Sequence, residues 1–238
     1  DVAASKKAMS SMEIILGEPS RLARLAVDVH DHYEKMCAGD PGRVQKAMIT
    51  CSSRPIAYAL LQIFQEKYPD WFVPRRVPEG MELSKEELQG LPEVPFMAMV
   101  ASAGSNDPED MYRYLGGTKN KQRNTELEET FKQDKSNFRI VIVVDMWITG
   151  FDEPSLTYLY NDKPLERHQL VQTISRVNRK YPGKKFGLVV DYIGIRDEMR
   201  QALKIYGGTE NVAPTDDDVE QAKQAFREYL EIVKRLFT

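Results

Sequence analysis

Cysteine, histidine and long apolar runs are all scarce in this sequence of 238 residues. Its two cysteines, Cys37 and Cys51, form neither a Cys-x-x-Cys motif nor a disulfide framework, which is typical of a protein in the reducing cytoplasm. Because the cysteines and the three histidines are not spaced as metal ligands, we expect no metal site and interpret His30 and His32 as ordinary surface residues. The longest apolar runs, such as Ile140–Val144, are too short to span a bilayer, and no membrane association is expected.

The motifs by which α/β enzymes usually bind nucleotides are missing as well. The only Gly-Lys pair, Gly183-Lys184, is followed by Lys185 where a phosphate-binding P-loop has Ser or Thr. The sequence also lacks a GxGxxG dinucleotide fingerprint, an acidic Mg²⁺ box of the DExH type and a (D/E)xK nuclease pairing. By itself the chain therefore has no complete active site. It begins at Asp1 rather than Met, and we expect it to be either a processed product or an excised piece of a longer protein.

Short aliphatic runs alternate with helical patterns along most of the chain. The runs are continuous rather than alternating in polarity, as in strands that are covered on both faces of a parallel sheet. We therefore predict an α/β fold, with a doubly wound, mostly parallel sheet flanked by helices and an added C-terminal helix. The predicted strands cover residues 46–51, 96–101, 139–144, 157–160 and 187–191. The predicted helices cover residues 3–37 with a break at Gly17 and Pro19, 55–68, 84–89, 124–133, 166–177, 195–205 and 219–237.

Two polar segments follow predicted strands. Ser52, Ser53 and Arg54 enter a helix, where small hydroxyls, backbone N–H groups and a guanidinium suit a phosphate oxygen; an ordinary helix cap is the alternative. Thr149, Gly150 and Asp152 offer a backbone N–H for a phosphate and a carboxylate for a ribose or a cation; the alternative is a tight turn with Asp152 as a cap. Trp147, just before that turn, is either a core residue or a stacking platform, and we favour the core.

A third segment, Gln172, Arg176 and Arg179, lies in the last turns of the helix predicted at 166–177 and just beyond it. Gln172 and Arg176 are four residues apart and share a face, and Arg179 follows one turn later. Two guanidinium groups at one helix end suit a γ-phosphate, whereas the alternative is a solvated basic helix end favoured by the helix dipole. Residues 163–185 carry four Lys and three Arg against one Glu, within a chain of net charge −3, and so form a candidate phosphate-facing strip.

The order of these segments resembles motifs IV, V and VI of superfamily-two helicases. More narrowly, Thr149-Gly-Phe-Asp-Glu-Pro154, Asp162-Lys-Pro-Leu165 and the Gln-x-x-x-Arg-x-x-Arg run from Gln172 are similar to the motor (R) subunit of type I restriction enzymes. The similarity covers about residues 40–206. It implies a second RecA-like motor domain, the half of an ATP-driven translocase of double-stranded DNA that closes over a nucleotide held by the first half.

The resemblance also implies a role for each motif residue. Arg179 resembles the arginine finger and Arg176 its companion on the γ-phosphate, while Gln172 helps to sense nucleotide. Gly150 and Asp152 are expected to line the nucleotide cleft and to couple it to DNA. The positions similar to those that hold the DNA backbone are Ser52, Ser53, Arg54 and Thr149, and Lys163 follows the family pattern without a role that we can give it.

The same resemblance divides the chain and supplies its partners. Residues 1–38 are a helical connection to the preceding motor domain. Residues 39–208 are the second RecA-like domain with a loop or insertion at 69–95, and residues 209–238 are a linker and helix leading to a helical region. ATP and Mg²⁺ are expected mainly in the absent first motor domain, with neither held by this chain alone. The expected partners are double-stranded DNA, the first RecA-like domain of the same chain, and the modification and specificity subunits of an ATP-dependent type I deoxyribonuclease.

Two other functions stay open. One is a non-catalytic RecA-like module that binds nucleic acid or a partner through its basic strip. The other is the C-terminal motor half of another superfamily-two helicase, such as an RNA helicase or a chromatin-type remodeller, against which the Thr-Gly-Phe-Asp-Glu-Pro run argues. In each case the isolated chain is expected to be inactive as an ATPase.

Overall fold

The computed structural model describes residues 12–39, 44–147, 151–165 and 167–194. The helices predicted at 195–205 and 219–237 lie outside these ranges, as do Thr149 and Gly150 of the second polar segment. None of the helices within the described ranges is long and apolar enough to cross a membrane.

Five parallel strands form one sheet in the described part of the chain. Their order is β2-β3-β1-β4-β5, and every neighbouring pair is parallel. The strands β1 to β4 are buried along their whole length, which explains their continuous aliphatic sequence. The strands are β1 Lys46–Cys51, β2 Met97–Val100, β3 Ile140–Val143, β4 Leu156–Asp162 and β5 Leu188–Asp191.

Helices flank this sheet and confirm the predicted doubly wound α/β architecture. The helices are α1 Pro19–Ala38, α2 Arg54–Lys67, α3 Lys85–Leu88, α4 Glu109–Tyr114, α5 Asn120–Lys132 and α6 Arg167–Val177, with 3₁₀ turns at Pro69–Phe72 and Gly117–Lys119. Helix α5 begins four residues earlier than predicted because a polar contact, not apolar spacing, starts it. The Asn120 side chain donates to the carbonyl oxygens of Ala101 and Leu115, at 2.9 and 2.7 Å.

Side chains of alternate strand residues enter two separate hydrophobic clusters. Ile140 and Ile142 contribute to the larger cluster, which includes the apolar face of α1, whereas Val141 and Val143 contribute to the smaller one. The smaller cluster contains Phe131, Phe138, Trp147 and Phe151. It matters for the site because two of its aromatic residues, Trp147 and Phe151, belong to the connection between β3 and β4.

Helix α1 packs tightly on the sheet. Its first turn is held by the Glu18 carboxylate, which accepts hydrogen bonds from the backbone N–H groups of Ser20 and Arg21. The apolar face of the helix enters the same core cluster as the sheet, through Leu22, Leu25, Ala26, Val29 and Tyr33. The connection to a preceding domain that we predict for residues 1–38 therefore includes a helix that this fold needs for its own core.

The prediction of ordinary surface histidines is wrong for His32. Its Nδ1 lies 2.7 Å from the Tyr160 hydroxyl, and its ring meets the rings of Tyr158 and Tyr160 edge-on. Burial lowers the pKa of His32 to about 4, and nearby Lys35 contributes in the same direction. His30 stacks on Tyr68 with ring centroids 3.7 Å apart. Because His30 and His32 are two residues apart, their rings lie on different faces of α1. Both rings nevertheless pack against aromatic side chains of the domain.

Residues 69–95, which match no family motif, are held against the rest of the fold. Trp71 is buried in the larger cluster, and Arg75 forms an antiparallel bridge with Val94. The predicted short helix is present as Lys85–Leu88, with the Ser84 hydroxyl and the Glu87 carboxylate forming a capping box. The segment is therefore irregular in sequence but built onto the domain.

Candidate functional site

The predicted site residues that the structure describes fall into two groups. Ser52, Ser53 and Arg54 follow the carboxyl end of β1, and Asp152 and Arg179 lie near the start of β4. Strands β1 and β4 pair in parallel from Lys46 opposite Leu156 to Cys51 opposite Asp162. The two groups therefore lie toward opposite edges of the sheet, and we name them the carboxyl-edge group and the α6-end group.

In the carboxyl-edge group, Arg54 is held by the loop that follows β2. Its guanidinium donates to the Ser102 carbonyl at 2.9 Å and pairs with the Asp107 carboxylate, also at 2.9 Å. Asp107 is almost fully buried and also accepts a hydrogen bond from the Gly104 backbone N–H at 2.7 Å. A Cβ atom on Gly104 would lie 2.7 Å from Arg54 Nη1, so this loop makes room for the guanidinium by having no side chain there.

The two serines of this group differ in their surroundings. Ser53 occupies the position before α2, but its hydroxyl makes no capping hydrogen bond. The hydroxyl of Ser52 is buried and has no partner among the described residues. An ordinary helix cap therefore does not account for these hydroxyls, and a buried hydroxyl without a partner, two residues before Arg54, is a suitable start for a phosphate site.

The end of β4 carries polar residues that the sequence analysis did not assign. Asn161 and Asp162 are fully buried, and they extend the strand by two residues beyond the prediction, which ended at the last apolar position. The Asn161 side chain accepts from the Thr50 hydroxyl at 2.8 Å and donates to the Asp191 carboxylate at 2.9 Å. Three neighbouring strands, β1, β4 and β5, are thus joined by side chains at their carboxyl ends.

Asp162 and Lys163 join the same strand end to two other elements. The Asp162 carboxylate forms a two-point ion pair with the Arg21 guanidinium of α1. Burial raises the pKa of Asp162, and Arg21 offsets part of that rise. The Lys163 ammonium donates to the Val144 carbonyl at 3.2 Å and pairs with the Asp145 carboxylate, both at the end of β3. Lys163 therefore has a structural role, in holding the start of the connection that carries Asp152.

Trp147 in this connection belongs to the core, as predicted. Only 5% of its surface is exposed, and its ring stacks on Phe151 with centroids 4.4 Å apart. The φ angle of Trp147 is +66°, in the left-handed region that a bulky residue rarely adopts. Such a conformation costs on the order of 1–3 kcal/mol and persists only where packing imposes it. The stack with Phe151 therefore fixes an unusual turn next to the second polar segment.

The α6-end group brings together three of the predicted residues. Arg176 Nη1 donates to the Phe151 carbonyl at 2.6 Å, and Arg179 Nη1 lies 2.7 Å from the Asp152 carboxylate. Both members of the second pair are substantially exposed, with 43% of the Arg179 side chain and 57% of the Asp152 side chain accessible. Gln172 is exposed one turn earlier on the same helix. Of the five residues predicted to face the nucleotide, only Gly150 lies outside the described residues.

The basic strip of residues 163–185 is only partly a free surface. Lys184 donates to the carbonyl oxygens of Pro154 and Leu156, at 2.9 and 2.6 Å, and so holds the start of β4. Together with Lys163 and Arg176, it satisfies backbone carbonyl groups of the same domain. Lys180 and Lys185 are exposed. Within the candidate phosphate-facing strip, Lys163 and Lys184 therefore bind groups of their own domain.

A buried charge cluster lies beneath the α6-end group. The Lys46 ammonium, at the start of β1, is fully buried and lies 3.3 Å from Glu153 and 3.4 Å from Asp134. Burial lowers the pKa of Lys46, and the two carboxylates counteract that shift. The second oxygen of Asp134 accepts a hydrogen bond from the Tyr181 hydroxyl. Sequence reasoning missed this cluster because Lys46 stands at the polar end of a strand, where a lysine is usually solvated.

Comparison with known proteins identifies type I restriction enzyme subunits as relatives. Residues 101–194 match the family model for type I restriction enzyme subunit R domain 3. The chain is 32% identical over 228 residues to the type I restriction enzyme HindI endonuclease subunit of Haemophilus influenzae, covering 94% of this chain and 20% of that protein. It is 34% identical over 202 residues to the MjaIXP type I endonuclease subunit of Methanocaldococcus jannaschii, covering 84% of this chain and 16% of the relative.

A solved structure supports the fold. A fragment of a type I restriction enzyme HsdR subunit from Vibrio vulnificus superposes with a TM-score of 0.51 at 14% identity, over 79% of this chain and 30% of that one. Together with the five-stranded parallel sheet, this similarity confirms the predicted RecA-like α/β fold. The chain spans about a fifth or less of the two curated relatives named above.

Proposed function

The chain belongs to the R-subunit family of type I restriction enzymes, and from that membership we propose that it works as the second motor domain of such a subunit. In this role it supports ATP hydrolysis coupled to translocation of double-stranded DNA, in a complex with modification and specificity subunits that restricts DNA. The observation that carries the proposal is the exposed pair of Asp152 and Arg179 at the end of α6.

An exposed ion pair of this kind is readily exchanged for another partner. Surface pairs between carboxylates and guanidinium groups contribute only about 0–1 kcal/mol to stability, because water and salt screen them. A phosphate group that approaches Arg179 therefore replaces Asp152 at little cost. Arg176 is already fixed to the Phe151 carbonyl, so α6 presents a guanidinium that can move beside one that is held.

The chain's own residues fit one side of a nucleotide site. The α6-end group offers guanidinium groups for the γ-phosphate, and when bound, ATP supplies the phosphoanhydride bond whose hydrolysis drives movement. Within residues 12–39, 44–147, 151–165 and 167–194, no three His, Cys, Asp or Glu side chains come together as a metal site. As the family resemblance implies, we assign Mg²⁺ and the remaining phosphates to the first motor domain of the same subunit, with Gln172, Gly150 and Asp152 beside the nucleotide.

Within this chain, Arg179 would stabilise negative charge that develops on the transferred phosphoryl group, and Arg176 would orient the end of α6. Without nucleotide, Asp152 pairs with Arg179. When nucleotide binds, Asp152 would release Arg179 and pair with a different partner at the edge of the nucleotide cleft. At the carboxyl-edge group, the hydroxyls of Ser52 and Ser53 and the Arg54 guanidinium would contact the DNA backbone without reading its sequence, and we assign Thr149 to DNA contact from its place in the sequence motif alone. ATP hydrolysis and DNA contact thus occupy the two groups of residues that the fold separates.

The test is DNA-stimulated ATP hydrolysis by a complete R subunit that contains this chain, with its partner subunits, comparing wild type with Arg179→Ala. An arginine finger is worth about 10³–10⁵ in kcat, so we expect turnover to collapse while DNA binding persists. Lys180→Ala is the matched control, since it removes an equal charge from the neighbouring exposed residue and should retain turnover. Unchanged turnover in Arg179→Ala would refute the motor role and leave a binding module.

A further inference from the structure

Two segments of the α6-end group are joined by a series of side-chain contacts. The first segment, residues 151–156, carries Asp152, and the second, residues 176–184, carries Arg179. Between them run the hydrogen bond from Arg176 to the Phe151 carbonyl, the pair of Arg179 with Asp152, and the bonds from Lys184 to the Pro154 and Leu156 carbonyls. Of these contacts, only the pair of Arg179 with Asp152 joins two exposed side chains.

A second connection passes beneath these contacts, through the buried charge cluster. The Tyr181 hydroxyl donates to Asp134, and the other oxygen of Asp134 lies 3.4 Å from the Lys46 ammonium. That ammonium lies 3.3 Å from Glu153, whose second oxygen accepts hydrogen bonds from the backbone and the hydroxyl of Ser155. The cluster thus begins two residues after Arg179 and ends at the neighbour of Asp152.

The buried ammonium makes this connection rigid. Lys46 has no exposed surface, and it lies over the Phe131 ring at 5.4 Å from the ring centroid. A charge in such surroundings requires its partners, because an unpaired buried ammonium is strongly unfavourable. Glu153 and Asp134 are therefore held at fixed positions relative to β1. The segments that are hydrogen-bonded to these two carboxylates are therefore held in place as well.

We propose that Lys46, Asp134 and Tyr181 are positioning residues that set the place of Arg179 relative to Asp152, and hence its reach toward a γ-phosphate. The inference rests on the motor role proposed above. The Tyr181–Asp134 contact is the step best suited to a test, because Tyr181 is half-buried and 42% of the Asp134 side chain is exposed. Removing that one hydroxyl loosens the segment after Arg179 without creating a buried unpaired charge.

The experiment compares Tyr181→Phe with wild type in the complete R subunit and its partner subunits, by DNA-stimulated ATP hydrolysis. We expect kcat to fall about 10-fold, because small displacements of a catalytic group are costly, while the KM for ATP and the thermal midpoint stay unchanged. Tyr58→Phe is the matched control. Tyr58 is also half-buried and forms a hydrogen bond with an aspartate, Asp110, but it lies on α2. The kcat of the Tyr58→Phe variant should therefore equal that of wild type.

A double substitution separates positioning from general stability. In the Arg179→Ala background, Tyr181→Phe should cause no further loss of kcat, since the group that it positions is already absent. A second variant, Asp134→Asn, should lower kcat in the same way, because it keeps a hydrogen-bond acceptor for Tyr181 but removes the charge that pairs with Lys46.

The possible results are distinguishable. If Arg179→Ala collapses turnover while Tyr181→Phe and Asp134→Asn behave as wild type, the positioning role is overturned and the motor role stands. A full additional loss in the double variant would show that Tyr181 acts elsewhere, and it would overturn the inference equally. Unchanged turnover in Arg179→Ala would overturn both proposals together.

Discussion

Arg54 and Arg179 each pair with an aspartate, yet the two pairs differ in what the fold asks of them. Asp107, the partner of Arg54, has only 4% of its side chain exposed and also accepts a backbone hydrogen bond. Asp152, the partner of Arg179, has 57% of its side chain exposed. The first pair closes a loop onto a helix, whereas the second contributes little to folding and can be exchanged. Arg179 is therefore available to bind a reacting group, whereas Arg54 is part of a fixed surface.

The largest effect on folding stability that we expect concerns the backbone beneath the exchangeable pair. Gly187, just before β5, passes so close to the end of α6 that a Cβ atom there would overlap the Val177 carbonyl oxygen. Gly187→Ala must displace the end of α6 or the start of β5, and we expect it to lower the free energy of unfolding by about 3 kcal/mol. Urea denaturation of the chain measures this cost.

Gly39→Ala serves as the control for that prediction. Gly39 has a φ of −72°, and an added Cβ would make only ordinary contacts, the nearest at 3.5 Å. We expect its effect to stay within about 0.5 kcal/mol. Equal stability of the two alanine variants would show that the end of α6 shifts easily, and would remove the rigid support on which the Arg179 site depends.

The next effect compares the two aspartates directly. Asp107→Ala removes the buried partner of Arg54 and the acceptor of the Gly104 N–H, so we expect a loss of about 2–3 kcal/mol in unfolding free energy. Asp152→Ala removes only an exposed partner and should cost less than about 1 kcal/mol. Denaturation of both variants at the same salt concentration provides the measurement. Similar losses would break the distinction between an anchored arginine and an exchangeable one.

Acid should weaken the packing of α1 on the sheet, because α1 contacts Tyr158 and Tyr160 of β4 through the half-buried, neutral His32. The folded pKa of His32, about 4, lies below the ordinary histidine value of 6.5, so the unfolded chain binds more protons between these values. Stability from this group is complete above pH 6.5 and is lost as pH falls, by about 2 kcal/mol at pH 5. Comparing wild type with His32→Gln across this range isolates the contribution. Parallel pH profiles for the two proteins would contradict the assignment.

The sequence predicted those parts of the fold that follow from the polarity of the residues themselves. Each of the five aliphatic runs became a strand, because continuous apolar runs fit a sheet covered on both faces. The prediction failed where the structure of a residue depends on a partner from another part of the chain. Asn161 and Asp162 are too polar to predict as buried strand, and they are stabilised there by partners that include Thr50, Asp191 and Arg21.

The candidate site shows the same division. The spacing of Arg176 and Arg179 predicts that both lie at a helix end, and they do, together with Asp152. Nothing local to Arg54 indicates that Asp107 is its partner, since the two meet only after β2 pairs in the sheet. Lys46 is similar, because the carboxylates that make its burial possible come from distant parts of the chain.

The smallest effect that we expect is on DNA affinity, and it tests the division of labour between the two arginines. If Arg54 contacts a phosphate through the part of its guanidinium that Asp107 leaves exposed, Arg54→Ala should weaken DNA binding about 10-fold, irrespective of sequence. It should also reduce the slope of log affinity against log salt by about 1. Arg179→Ala should change neither quantity, because its site faces nucleotide. Titration of double-stranded DNA with the complete R subunit at several salt concentrations measures both variants. An equal change of slope would place both arginines on the DNA backbone, and the exposed pair at the end of α6 would then belong to DNA binding rather than to hydrolysis.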